Sequence, residues 1–75
     1  MSKIPRISAR QCVRALERVG FYVARQSGSH IMMKRGEPKA STVVPNHDEL
    51  AVGTLRRIIS DAGLTVDEFI ALLRK

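Results

Sequence analysis

Apolar residues recur along this chain with two different periods. From residue 9 to residue 19 the spacing is helical. At about 100° per residue, Cys12, Val13, Leu16 and Val19 gather on one side, while Arg10, Arg14 and Arg18 step by four along the other. Ser8-Ala9-Arg10-Gln11 fits a capping box, in which the Ser side chain and the Gln three residues on satisfy two free amides. The helix is therefore expected to begin after Ser8. Gly20, free to take a positive φ, is placed just past its end.

The pattern then changes. Phe21-Tyr22-Val23-Ala24-Arg25-Gln26 is rich in strand formers, and Ser27-Gly28-Ser29 reads as a tight turn shaped by Gly28. In His30-Ile31-Met32-Met33-Lys34-Arg35 successive side chains alternate between faces. Ile31 and Met33 share one face; His30, Met32 and Lys34 share the other. Gly36 to Lys39 forms a second turn, and Ser41 to Pro45 a third strand. Asn46 to Val52 reads as a polar connection. A second helix covers Thr54 to Ala62, burying Leu55, Ile58, Ile59 and Ala62. Gly63 ends it, and Thr65-Val66-Asp67-Glu68 caps a third helix with Val66, Phe69, Ile70, Leu72 and Leu73 on its apolar arc. Arg74 and Lys75 close that helix with positive charge, as its dipole favours.

The order is α-β-β-β-α-α. This is an α+β fold in which helices back one face of a three-stranded antiparallel sheet, and residues 1–75 are expected to form one domain. The helices hold the large apolar surfaces, so Ile31 and Met33 should face them. His30 and Lys34 are left on the open face.

Charge narrows the function. The net charge is +6, and it is uneven: residues 1–39 hold nine Lys/Arg against two acids, residues 40–75 four against five. A basic half on so small a domain points to a polyanionic partner, with nucleic acid the default. The basic helix has few large apolar groups to spare for a bilayer, and no stretch is apolar enough to span one. Met1-Ser2-Lys3-Ile4-Pro5 has no apolar run behind it, which argues against a signal peptide. One cysteine, Cys12, fits a cytoplasmic location and a small core residue.

Candidate chemistry is sparse. Phosphate loops, HExxH and CxxC motifs are absent from the sequence, and two histidines with scattered acids make a poor metal set. No metal or other cofactor is expected. His30 suits proton transfer near neutral pH, although a lone histidine at a strand start is also an ordinary half-exposed polar residue. Ser29 is either a turn hydroxyl or an auxiliary group. His47 is either a loop histidine or a second proton-transfer or phosphate-binding group. Arg10, Arg14 and Arg18 either solvate a helix face or contact phosphates, and Arg25, Lys34 and Arg35 extend the basic surface around His30.

Gly28-Ser29-His30 before a strand, Val44-Pro45-Asn46-His47, Gly53-Thr54-Leu55-Arg56-Arg57-Ile58-Ile59, Ala62-Gly63-Leu64 and Glu68-Phe69, in that order, resemble the HicA toxin family over nearly the whole chain. The resemblance implies a fold similar to the double-stranded-RNA-binding domain. It implies a metal-independent endoribonuclease that cuts mRNA and blocks translation, with a HicB-type antitoxin as partner. His30 matches the family's catalytic histidine, and the Val-Pro-x-His element draws attention to His47. The chain departs from the family in carrying Met32-Met33 where members often have an aromatic. Two other readings use the same surface: a non-catalytic RNA-binding module, and an adaptor for an acidic protein.

Overall fold

The structure is a computed structural model and describes residues 3–74. Met1 and Ser2, in the segment expected not to be a signal peptide, and Lys75, expected at the basic end of the last helix, lie outside the described residues. The element order is α1 (Ala9–Glu17), β1 (Tyr22–Ser27), β2 (His30–Arg35), β3 (Ala40–Pro45), α2 (Val52–Asp61) and α3 (Val66–Leu73). The fold is α+β, with an antiparallel sheet in the order β1-β2-β3, and is compatible with a double-stranded-RNA-binding-domain-like architecture.

Both capping boxes form. Ser8 Oγ accepts from Gln11 N–H at 3.2 Å and Gln11 Oε1 from Ser8 N–H at 2.9 Å; Thr65 and Glu68 repeat the exchange at 3.1 and 2.8 Å. Each satisfies two donors that a helix start leaves without partners. At the end of α1, Gly20 adopts φ 95° while Phe21 N–H reaches back to the Leu16 carbonyl at 3.2 Å. That closure turns the chain straight into the sheet and sets Leu16 and Phe21 in the core.

Alternation along β2 sorts its side chains as expected. Ile31 and Met33 are buried, and His30, Met32 and Lys34 are exposed. The core joins them to Cys12, Leu16, Leu55, Ile58 and Phe69. Burial raises the Cys12 thiol pKa to about 12, since a thiolate would lose its hydration there.

Three local expectations need correction. The second helix starts at Val52, two residues early, from an Ala51 cap with no side-chain hydrogen bond, so no capping signature marked it. The connection before it is not simply polar. Leu50 is buried and its N–H donates to the Ile7 carbonyl at 2.8 Å. Helices also cover the sheet unequally: all six residues of β1 are exposed, including Val23 and Gln26 on the helix side.

Candidate functional site

The β1–β2 hairpin turns through Gly28 and Ser29. Gly28 has φ 57°, and no residue other than glycine has a positive φ among the described residues. A positive φ at the first central position alone is the II′ pattern that suits the twist of a hairpin. A Cβ at Gly28 would meet nothing within 4 Å, so backbone conformation, not space, demands the glycine.

The turn places Ser27 directly opposite His30. In such pairs the side chains share a face, with Cβ atoms about 4.5–5.5 Å apart. Ser29, the hydroxyl adjacent in sequence, is in the turn. Its carbonyl accepts from Asn46 N–H at 2.6 Å, which ties the turn to the end of β3.

One irregularity decides what else stands beside His30. Tyr22 pairs with Lys34 and Val23 with Met33, but the next pair is Arg25 with Met32, leaving Ala24 as a bulge. Strict alternation from Tyr22 would send Arg25 and Ser27 to the helix side. The extra residue shifts the phase and puts both on the open face. Across the sheet His30 faces Pro45, Met32 faces Val43 and Lys34 faces Ser41. Arg25, Ser27, His30, Met32 and Val43 line one shallow depression of about 320 Å³. Its size is near the lower end of ligand sites, roughly 300–1,000 Å³. The paired residues of this face include no carboxylate.

His47 is placed elsewhere. Its carbonyl accepts from Ala9 N–H at 2.9 Å, and it lines a recess with Ser8, Arg10, Asn46 and Asp48. The two histidines line different recesses.

The basic side chains fall into two groups. Arg18 Nη1 donates to the Leu72 carbonyl at 2.7 Å. Arg35 donates to the carbonyls of Pro38 (2.8 Å), Val19 (3.4 Å) and Ala62 (3.3 Å), and its guanidinium lies 4.6 Å from the Phe21 ring centroid. These two hold the helices and the second turn together. Arg10, Arg14, Arg25 and Lys34 are exposed, with no side-chain hydrogen bond or ion pair among the described residues. Arg10 and Arg14 flank a groove between α1 and β1, which Val23, Gln26 and Asn46 also line. All six are candidate RNA-binding cations in the sequence; the fold engages Arg18 and Arg35 with backbone carbonyls and leaves the other four without a side-chain hydrogen bond or ion pair among the described residues.

A family model described as HicA toxin of bacterial toxin–antitoxin matches residues 9–64, from the first residue of α1 through the end of α2. The chain belongs to the HicA toxin family. Among curated proteins, none matches it. Membership makes this chain the toxin of a toxin–antitoxin pair and implies a cognate antitoxin. The matched segment contains the hairpin, the bulge and every free cation named above. Among the described residues of this HicA chain, no helix is long and apolar enough to cross a membrane. No three His, Cys, Asp or Glu among them gather as a metal-binding group.

Proposed function

We propose that the toxin is an endoribonuclease that cleaves mRNA, with His30 as its general acid or base. The observation that carries this reading is the position of His30: exposed, at the start of β2, on a face bearing the free cations Arg25 and Lys34.

Cleavage proceeds by attack of the RNA's own 2′-hydroxyl. That hydroxyl loses its proton as its oxygen forms a bond to phosphorus. The bond from phosphorus to the 5′-oxygen breaks, and that oxygen takes up a proton. The products are a 2′,3′-cyclic phosphate and a 5′-hydroxyl. His30 carries out one of the two proton transfers and solvent water the other. One positioned acid or base contributes roughly 10²–10⁴-fold. The free cations attract the substrate and offset charge on the phosphorane.

Labelled RNA incubated with pure protein in EDTA should yield these products. His30→Ala should abolish them while the circular dichroism spectrum and melting temperature stay as in wild type. Cleavage by His30→Ala at the wild-type rate would remove His30 from the mechanism. Binding without products, by the wild-type protein, would leave a non-catalytic RNA-binding module.

A further inference from the structure

Within the ribonuclease reading, on which this rests, we infer that Arg25 is a second catalytic residue, binding the non-bridging oxygens of the phosphate that His30 acts on. Three observations converge. Arg25 and His30 line the same depression, beside Ser27. The Arg25 side chain has no hydrogen bond or ion pair among the described residues. The bulge at Ala24 is what turns Arg25 toward this face, and bulges beside active sites re-aim side chains in this way.

The chemistry matches the residue. As the 2′-oxygen attacks, negative charge grows on the two non-bridging oxygens before the 5′-oxygen leaves. A planar guanidinium presents paired N–H donors that fit two such oxygens, and it stays cationic at every working pH. Lys34 is the other free cation of the face, but it stands opposite Tyr22 and Ser41 and does not line this depression. Met32 and Val43 complete the depression with apolar surface. A phosphate held between Arg25 and His30 would place its neighbouring nucleoside against them. A nucleoside seated there would displace water, which would strengthen the guanidinium–phosphate contact.

Chemistry and binding are separated by single-turnover kinetics on a short RNA and by affinity for the same RNA with a 2′-O-methyl at the cut site. Arg25→Ala should lower the cleavage rate at saturating protein by about 10²–10³-fold, the usual loss when one donor to a developing oxyanion is removed. Affinity for the methylated RNA should fall by no more than about 10-fold. Arg25→Lys should recover part of the rate. The rate should keep the pH dependence of the wild type, because the proton-transfer group is intact. Arg56→Ala removes the same charge from an exposed position on α2 and serves as the reference. If Arg25→Ala loses affinity but keeps the wild-type saturated rate, Arg25 is only a backbone-binding cation and the inference is wrong. His30→Ala is run beside it. Loss of cleavage in His30→Ala with full saturated rate in Arg25→Ala overturns this inference alone. Full rate in His30→Ala overturns the underlying mechanism instead.

Discussion

Arg18 reaches across the molecule to Leu72: its Nη1 donates to that carbonyl at 2.7 Å, although the residues are 54 apart in sequence. The last cation of the α1 stripe is thus anchored to the final turn of α3. Hydrogen bonds to charged groups contribute about 1.5–3 kcal/mol, and partial exposure brings this one somewhat below that range. Arg18→Ala should lower stability by about 1 kcal/mol. In a domain this small that shifts the melting temperature by roughly 4–8 °C. Thermal denaturation followed by circular dichroism tests it, and an unchanged melting point would refute the anchor.

Arg35 should be more sensitive and should not tolerate lysine. Its guanidinium serves carbonyls at the ends of α1 and α2 and in the 36–39 turn, from one planar fork. Positive charge at two helix ends is favoured by both dipoles. An ammonium keeps the charge but loses that fork. Arg35→Lys is therefore expected to lose about 1–2 kcal/mol, measured by urea titration. A residue serving only as an RNA-binding cation would tolerate lysine, so full stability in Arg35→Lys would contradict this assignment.

Gly28→Ala tests the turn. At φ 57° a Cβ meets no neighbour but strains the backbone, by roughly 1–2 kcal/mol. Gly28→Asn should lose less, because asparagine joins glycine and aspartate at the positive-φ positions of hairpin turns. Comparing the two by chemical denaturation separates strain from crowding. Equal losses for both would mean that φ is not what matters there. If His30 works from this hairpin, cleavage should fall in the same order.

Much of the fold was legible because its signals are local. Ser8 with Gln11 and Thr65 with Glu68 are capping pairs within one turn of helix. Gly20 and Gly63 both take the left-handed φ that stops a helix. Alternation in β2 sorted His30 from Ile31 without any tertiary information. The site was only half legible. Nothing in Tyr22-Val23-Ala24-Arg25 marks Ala24 as a bulge, since alanine has no special claim on that geometry. Ser27, rather than the adjacent Ser29, therefore emerges as the hydroxyl facing His30 only from the register. Arg18 and Arg35 had the spacing of surface cations, and their carbonyl partners lie in remote or irregular backbone that no periodicity reports.

Cys12 should make stability depend on alkaline pH. Its thiol is pushed up to about 12 in the folded protein, against 9.0 for an unperturbed one. Between these values the unfolded chain gives up the proton and the folded one keeps it, so the free energy of unfolding falls as pH rises. The contribution is complete below pH 9 and is lost progressively toward 12. Wild type should therefore lose more stability than Cys12→Ala between pH 8 and 10.5, with urea midpoints as the readout. Parallel pH curves would exclude this thiol as the cause. A thiol reagent at neutral pH should label the protein only as it unfolds.

Arg10 and Arg14 flank the groove between α1 and β1, on the helix side of the hairpin that carries His30. Neither side chain has a hydrogen bond or ion pair among the described residues. If RNA continues from the open face around the hairpin, these two take up phosphates remote from the cut. For single strands each neutralised phosphate contributes about 0.7 to the slope of log affinity against log salt. Replacing both arginines by alanine should therefore flatten that slope by about 1.4 and leave melting unchanged. The loss should appear with long RNA and vanish with an oligonucleotide too short to leave the His30 depression. A slope identical to wild type on long RNA would show that the groove is not part of the RNA path. It would also return this stripe to the ordinary solvated face that helical spacing alone allowed.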